Sequence, residues 1–280
     1  MTLETLVSAV KENTTTLASK MKLESDAIVI NQCNVNVSEL YEYQGHRILC
    51  LSFNEKGVGL SRNSALMRAT ADIILFSDED IVYAEGYAKK VLQAFSERPY
   101  ADMLLFNMDV TQERATYHTD HEFRVHRYNC GRYPTYSFAI RREILHQKNI
   151  TFSLLFGGGA KYSNGEDSIF IRDCIKSGMR VYALPITIGK EVARPSTWFH
   201  GYTEKFFFDR GVLYQYLYGP LKKPLALRFL LKNRTVFFDQ AEESKLSAES
   251  ENSQNLEEHQ VTDFKEAYQL MKQGMREMRK

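Results

Sequence analysis

The first two thirds of the chain alternate between short apolar runs and helical patterns. Continuous apolar runs are typical of strands buried on both faces, and apolar residues three or four positions apart are typical of helices. The runs predict strands over residues 3–10, 27–30, 47–52, 73–76, 103–107, 136–140 and 181–188. The helical spacing predicts helices over 17–23, from near Ser61, over 87–95 and 141–146, and after Asp167. We therefore expect an α/β fold, with a mostly parallel sheet flanked by helices.

A cluster of acids follows the apolar run 73–76. Ser77 ends the run, and Asp78, Glu79 and Asp80 come directly after it. Acids at the end of a buried strand are costly unless something cationic meets them. In open α/β sheets, the carboxyl ends of the strands are also where ligands bind. Carboxylates of this kind suit Mg²⁺ or Mn²⁺, which proteins often share with substrate phosphates.

The first two predicted strands end at the same edge of the predicted sheet. Val10 ends the first strand, and Asn31 and Gln32 follow the second. We expect a nucleotide to lie across these carboxyl ends, close to all three residues. The two amides can hydrogen-bond a base edge as donors and as acceptors.

A second pair of acids stands at the start of a later helix. Glu166 and Asp167 follow Gly165 and precede an apolar-periodic stretch over residues 169–175. As ordinary helix-start acids they would be favoured by capping and by the helix dipole. As functional acids they would face a substrate that the glycines at 157–159 allow close to the backbone. The pattern alone leaves both interpretations open.

Taken in order, these motifs resemble those of family 2 glycosyltransferases, which have the GT-A fold. The resemblance covers roughly residues 3–215 and rests on four motifs: Ser61-Arg62-Asn63, Asp78-Glu79-Asp80, Gly165-Glu166-Asp167, and Ser196-Thr197-Trp198-Phe199. It extends to bacterial enzymes that build surface polysaccharides on lipid-linked intermediates. The resemblance implies a Rossmann-like nucleotide-sugar-binding domain over residues 1–203.

The resemblance also implies roles for the acids. Asp167, with Glu166 beside it, would be the base that accepts a proton from the acceptor hydroxyl. Asp80 would bind the Mn²⁺ or Mg²⁺ ion that bridges the diphosphate, and Asp78 would lie toward the ribose or the metal. Glu79 would belong to the same nucleotide-sugar site.

Other positions match the family less directly. Arg62 matches an arginine on the nucleotide side of the family's site. A positive charge in the first turn of a helix is unfavourable because it opposes the helix dipole, which favours this role over that of a solvated first-turn residue. Asn31 and Gln32 stand where the family usually has acids that hold a uracil ring. His200 is the candidate histidine ligand for the metal, unless Lys190 takes that place and meets the diphosphate. Trp198 either stacks on a sugar or anchors the core.

The rest of the chain changes in character three times. Residues 204–238 mix aromatic residues with basic ones, and the part up to 234 has seven basic and two acidic residues. We expect a helical segment that contacts a membrane interface, or else a helical hairpin that covers apolar surface. Residues 239–261 are acidic and polar, which predicts a disordered linker. Residues 262–280 predict an amphipathic helix capped by Thr262, which docks on the body or forms a homo-oligomer.

Composition narrows the remaining choices. The formal net charge of +1 gives no overall basic field for nucleic acid. The four cysteines lack metal-site spacing and are expected to be reduced thiols in a cytosolic protein. We expect no signal peptide and no membrane-spanning helix, because the first strand begins at once and no apolar run is long enough. The expected location is therefore the cytoplasm, at the inner face of the membrane.

The expected activity is metal-dependent, inverting transfer of a sugar from a nucleotide diphosphate, most readily UDP, to a hydroxyl of a glycan or lipid-linked acceptor. Two other functions remain open. A nucleotidyltransferase would need a glycine-rich, basic triphosphate loop after the first strand, and residues 11–16 do not have that composition. A non-catalytic nucleotide-sugar-binding or scaffold protein would not need the acids Asp80 and Asp167.

Overall fold

The computed structural model describes residues 1–110, 117–192, 201–239 and 260–277. Contacts divide the chain into two compact units. The N-terminal unit comprises Met1–Ala160 and Glu166–Pro195, and the C-terminal unit comprises Lys161–Gly165 and Ser196–Lys280. The short piece Lys161–Gly165 therefore belongs to the C-terminal unit, although the residues on both sides of it belong to the N-terminal one.

The N-terminal unit is an α/β structure built on one sheet. Its strands are β1 (Leu3–Val10), β2 (Asp26–Gln32), β3 (Val37–Tyr43), β4 (His46–Phe53), β5 (Ile73–Asp78), β6 (Ile81–Tyr83), β7 (Met103–Asp109), β8 (Phe123–Arg124), β9 (Phe138–Arg141) and β10 (Val181–Glu191). Its helices are α1 (Thr14–Met21), α2 (Val58–Leu66), α3 (Tyr87–Glu97), α4 (Arg142–Gln147) and α5 (Glu166–Lys176).

The order of the strands brings four carboxyl ends together. The sheet runs β3-β4-β2-β1-β5-β9-β7-β10-β6, with β8 paired to β10. Strands β4, β2, β1 and β5 are parallel neighbours, whereas β9 is antiparallel to both β5 and β7. In register, Val10 lies opposite Gln32, and Ser8 lies opposite Asp78. The polar residues that follow β1, β2 and β5 therefore lie along one edge of the sheet.

Buried apolar residues cover both faces of this sheet, as the continuous apolar runs predict. One cluster contains Val7, Val29 and Leu75 and packs under α1 and α3. The other contains Leu6, Ile28 and Ile74 and packs under α2 and α5. Successive side chains of one strand thus enter opposite clusters, which is why the runs show no polar alternation.

The predicted elements are confirmed with shifted ends, and three strands were missed. Helix α2 begins at Val58 instead of near Ser61, because Gly57 at φ +127° turns the chain into the helix. The missed strands are β3, the three-residue β6 and the two-residue β8. Pro185 lies where the pairing of β10 with β7 shifts register, because proline has no N–H to donate to the neighbouring strand.

The C-terminal unit is helical. It contains α6 (Glu204–Tyr218), α7 (Lys222–Lys232) and α8 (Phe264–Glu277), with a π-helical turn over Thr235–Asp239. Thr203 caps α6 through Phe206 N–H, at 3.3 Å. Thr262 was the wrong cap for α8: the Asp263 carboxylate accepts from Lys265 N–H at 3.1 Å.

Helices α6 and α8 approach closely through two glycines. A Cβ on Gly211 would lie 2.1 Å from the Met271 carbonyl oxygen, and a Cβ on Gly274 would lie 2.1 Å from that of Phe208. Ala267, Met271 and Met275 of α8 are buried in the aromatic core of the unit. The apolar stripe of α8 is therefore already covered within one chain.

The predicted division at residues 203, 238 and 261 stays a prediction. Of the predicted linker, residues 240–259 lie outside the described residues, as do Trp198 and His200. Among the helices that the structure describes, none is both long and apolar enough to cross a membrane.

Candidate active site

The acid cluster lies where β5 ends. Asp78 is the last residue of β5, and the backbone N–H of Glu79 donates to the Ser8 carbonyl oxygen of β1 at 3.2 Å. Glu79 is partly buried, and this burial, with the charges of Asp78 and Asp80 adding to it, raises the pKa of Glu79 to about 7. Three carboxylates therefore follow one another at the carboxyl end of β5.

Arg62 joins this acid cluster to the start of α5. Its Nη2 donates to Asp78 Oδ1 at 3.0 Å, and its Nη1 donates to Glu166 Oε1 at 2.9 Å. Burial alone would lower the pKa of Arg62, but the two carboxylates outweigh it and raise that pKa. Arg62 is 4% exposed, so this bridge is a buried one. The guanidinium thus meets the acids at both ends of the site, and its predicted role on the nucleotide side stays a prediction.

The two neighbours of Arg62 fix the helix that carries it. Ser61 Oγ donates to Ser8 Oγ of β1 at 3.0 Å. Asn63 pairs twice with the backbone of Phe152, donating to its carbonyl oxygen at 2.9 Å and accepting from its N–H at 2.8 Å. The triplet at 61–63 therefore ties α2 to β1, to the acids and to the segment that leads to the glycines.

Glu166 and Asp167 begin α5. Asp167 Oδ1 accepts from the Ser168 backbone N–H at 2.6 Å, a capping contact at a helix start. Burial first, and then the charge of Glu166, raise the pKa of Asp167 to about 7, although Arg62 and Ser168 act in the opposite direction. Asp167 thus has a capping contact and also the proton affinity of a general base that works near neutral pH.

A glycine makes room for Glu166. Gly157 has φ +103°, and a Cβ there would lie 2.8 Å from Glu166 Cδ and 2.6 Å from Val58 Cγ1. Any other residue would push Glu166 away from Arg62. The sequence predicts that the glycine-rich segment lets a substrate approach the backbone. It does not indicate that Gly157 also leaves space for the Glu166 side chain.

A cleft of about 580 Å³ opens beside the carboxyl ends of β1, β2 and β4. The residues lining it are Lys11, Glu12, Asn13, Thr14, Asn31, Cys33, Asn34, Val35, Val37, Glu39 and Ser52. Val10, immediately before this set, is exposed at the end of β1. The sequence analysis missed Glu12 and Asn34, although both are polar residues directly after predicted strands.

The amides of Asn31 and Gln32 are engaged by the chain's own backbone. Asn31 accepts from Glu12 N–H at 3.1 Å and donates to the Glu12 carbonyl oxygen at 3.0 Å. Gln32 makes the same pair of bonds with Gly57, at 3.2 and 3.0 Å. Both residues are buried. They hold the loop after β1 and the start of α2, so they shape the cleft through the backbone.

Lys190 approaches the acid cluster through strand pairing. It lies opposite Val82 in the antiparallel β10–β6 pair, and its side chain is exposed. Two residues later, Val192 N–H donates to the Asp80 carbonyl oxygen at 2.8 Å. The end of β10 is therefore held against the backbone of Asp80.

The residues present suit a divalent cation only in part. Among the described residues, no three His, Cys, Asp or Glu side chains form a metal-binding group. Both oxygens of Asp78 face Arg62 Nη2, at 3.0 and 3.4 Å. The donor set of Asp78, Glu79 and Asp80 nevertheless consists of hard oxygens, which Mg²⁺ and Mn²⁺ prefer.

Comparisons with known proteins place the chain in a family. Residues 4–163 match the family described as "Glycosyl transferase family 2". No curated protein matches the chain. Among solved structures, it is similar to S. aureus TarS 1-349 in complex with UDP-GlcNAc, with 17% identity, a TM-score of 0.57, and coverage of 83% of this chain and 72% of that one.

Two other TarS structures are similar. TarS 1-349 in complex with UDP has 17% identity and a TM-score of 0.56, with 86% and 73% of the two chains covered. The longer S. aureus TarS has 16% identity and a TM-score of 0.56, but only 43% of its chain is covered, against 83% of this one. At these identities the likeness shows the fold. The family match covers more than half of the chain, which therefore belongs to glycosyl transferase family 2 and is a glycosyltransferase with the GT-A fold.

Proposed function

We propose that this enzyme transfers a sugar, with inversion, from a nucleotide-diphosphate donor to a hydroxyl of a glycan or lipid-linked acceptor in bacterial polysaccharide synthesis. The observation that carries the proposal is the bridge from Asp78 through Arg62 to Glu166. It joins a set of acids suited to a diphosphate and its metal to a helix start that holds a base.

The donor is UDP-linked in this proposal. Two of the similar TarS structures contain UDP-GlcNAc or UDP. The base would enter the cleft at the ends of β1, β2 and β4, past Val10. Asn31 and Gln32 would form its floor by holding the backbone at Glu12 and Gly57. Trp198 would contact the sugar.

The metal, Mn²⁺ or Mg²⁺, would be held by Asp80 and Asp78. When bound, it supplies neutralisation of the charge that builds on the departing diphosphate. Glu79, between these two residues, would add a third carboxylate beside the ion. Arg62 orients Asp78 through the hydrogen bond from its Nη2. His200 would complete the ligand set, or Lys190 would meet the diphosphate.

Asp167 is the proposed base. It takes the proton of the acceptor hydroxyl as that oxygen forms a bond to the anomeric carbon from the face opposite the leaving group. The bond from the anomeric carbon to the diphosphate oxygen breaks, and its electron pair leaves with the nucleoside diphosphate. Glu166 accepts from Arg62, and its charge adds to burial in raising the pKa of Asp167. A single displacement inverts the anomeric configuration.

We also propose the cellular context. The enzyme works in the cytoplasm at the inner face of the membrane, where a lipid-linked acceptor would be, and contacts that membrane peripherally. Association of two copies through α8 is a weaker proposal, because the stripe expected to pair is covered within the chain.

A thermal-shift screen tests the donor and the metal. UDP, GDP, CMP and dTDP are each added with and without Mn²⁺, to the wild type and to Asp80→Asn. A ligand at a hundredfold excess over its dissociation constant stabilises the native state by about 2.7 kcal/mol. We expect a Mn²⁺-dependent shift with UDP that Asp80→Asn loses, and that the control Glu85→Gln, an exposed acid after β6, keeps.

Release of UDP is then measured with UDP-sugars in the presence of Mn²⁺. Metal-dependent release supports a transferase. A shift with no release under any acceptor would favour a nucleotide-sugar-binding scaffold. No shift with any nucleotide would refute the proposed donor site.

A further inference from the structure

Helix α7 presents one face to solvent. Its inward positions, Lys222, Ala226 and Leu230, are buried. Leu227 is 39% exposed and Leu231 is 57% exposed, one helical turn apart. Together with the residues around them they form what we call the α7 outer face: Leu221, Lys223, Pro224, Leu227, Arg228, Leu231, Lys232 and Arg234, all exposed.

The charge on this face has one sign. The sequence contains no acid between Asp209 and Asp239. Within the described part of the chain, the four basic side chains of the α7 outer face make no salt bridge. Exposed leucines beside cations that no acid of the described residues neutralises suit a partner that is both apolar and anionic.

The aromatic residues of the segment do not belong to this face. Phe207, Tyr214, Phe237 and Phe238 are buried in the core of the C-terminal unit. The sequence analysis attributed membrane contact to the whole of residues 204–238. Most aromatic residues of α6 are occupied in packing, whereas Tyr216 is exposed; among the described residues of this segment, α7 combines exposed leucines with basic side chains on one face.

We propose that the α7 outer face docks on a membrane surface that carries anionic headgroups. A helix of 11 residues is about 16 Å long and therefore lies along the interface instead of crossing it. Its leucines enter the boundary between headgroups and acyl chains, and its cations meet the headgroups. This proposal rests on the proposed function only for its purpose, which is to bring the enzyme to a lipid-linked acceptor. Binding to vesicles can be measured without any enzymatic activity.

Cosedimentation of the full-length protein with vesicles tests this face. One set of vesicles is phosphatidylcholine alone, and the other is phosphatidylcholine mixed with phosphatidylglycerol. We expect binding to the mixed vesicles only, and weaker binding at high salt. Lys223→Gln/Arg228→Gln/Lys232→Gln together lower the partition coefficient by roughly a hundredfold, since each basic residue near anionic lipid contributes about fivefold.

The leucines are tested separately. Leu227→Ser/Leu231→Ser lowers the partition coefficient by about tenfold, because partly exposed leucines lose only part of their transfer energy. Two controls make the same kinds of change elsewhere: Lys89→Gln/Lys90→Gln on α3 removes two charges, and Leu40→Ser removes one exposed leucine from β3, so losses are compared per residue. Circular dichroism and thermal midpoints identify any variant that fails to fold.

Three results would overturn the proposal. They are wild type that does not bind mixed vesicles, α7 variants that bind like wild type, and a charge control that loses as much as the α7 variant. A mass of two chains in light scattering, abolished by Leu227→Ser/Leu231→Ser, would instead assign the face to a second copy. The Mn²⁺-dependent shift with UDP is measured on the same variants, so failure of this proposal is distinguishable from failure of the proposed function.

Discussion

Replacing Asp167 with asparagine allows the effect of the buried carboxylate on stability to be measured separately from its effect on catalysis. The asparagine carbonyl oxygen can keep the 2.6 Å contact with Ser168 N–H, so the change removes charge with little loss of structure. Burial and the charge of Glu166 raise the pKa of Asp167 to about 7. The ordinary aspartate pKa is about 4.

The sign of the stability effect follows from this raised pKa. The folded protein keeps the Asp167 proton up to a pH of about 7, whereas the unfolded chain loses it near a pH of about 4. Between these values the folded state binds more protons, so the wild type loses stability as the pH rises. The difference between a pKa of about 4 and one of about 7 corresponds to about 4 kcal/mol, and we expect about 2–4 kcal/mol because Asp167 is buried beside other charged groups.

Urea unfolding in the presence of a chelator measures this effect. Asp167→Asn should gain about 2–4 kcal/mol relative to the wild type between a pH of about 4 and a pH of about 8. The contribution of Glu79 is the same in both proteins and cancels. Asp26→Asn, an exposed aspartate on β2, controls for the loss of one negative charge.

The same substitution should abolish the gain in turnover that a base provides. We expect kcat to fall at least about a hundredfold while donor affinity stays nearly unchanged. Wild-type kcat should fall below a pH of about 7, as Asp167 takes up its proton. A stability difference that does not change with pH would refute the reasoning about burial. Turnover like that of the wild type would make Asp167 only a helix cap.

Three further substitutions test other parts of the structure. Arg62→Leu leaves two carboxylates without their cation and should lower the free energy of unfolding in urea by about 3 kcal/mol. Arg68 is exposed after the same helix, so Arg68→Leu should lower it by under about 1 kcal/mol. Equal losses would contradict a buried bridge. Gly274→Ala should separate α6 from α8 and lower the thermal midpoint by several degrees, while Gln273→Ala on the exposed side of α8 should leave the midpoint unchanged. If Gly274→Ala also left the midpoint unchanged, the helices would tolerate a wider spacing. Asp209→Ala removes the buried acceptor for the Ser163 N–H at 2.9 Å and for Lys205 Nζ at 2.6 Å, and should lower the free energy of unfolding by about 1–3 kcal/mol. Asp209→Asn should restore part of that loss. Equal stability of the two variants would argue against this hydrogen-bonding role.

The strands of the N-terminal unit were predictable because their cores are continuous in sequence. The run 73–76 is buried completely, and the predicted and observed limits of β1 agree. Strand β3 was missed because it lies at the edge of the sheet, where its side chains are half exposed and its alternation is weak. Strand β6 is too short to leave a pattern, and its pairing depends on β10, which follows about a hundred residues later.

The candidate site was predictable as a set of residue types, but its connections were not. The acids at 78–80 and at 166–167 stand out because charge follows directly on apolar sequence. Nothing local indicates that Arg62 bridges them across a separation of 104 residues. Asn31 and Gln32 were read as base contacts from their place after β2. Their amides are instead bonded to backbone that the fold brings to them.

The sequence by itself determined which segments are buried, where polar residues end the strands, and to which family those residues belong. These are local properties, since the burial of a strand on both faces and the turn that follows it depend on neighbouring residues. Only the tertiary structure decided which acids share a cation, which amides are free to meet a ligand, and which part of residues 204–238 remains exposed. Each of these depends on packing between segments distant in sequence, where a charge or an apolar side chain acquires its partner or remains exposed to solvent.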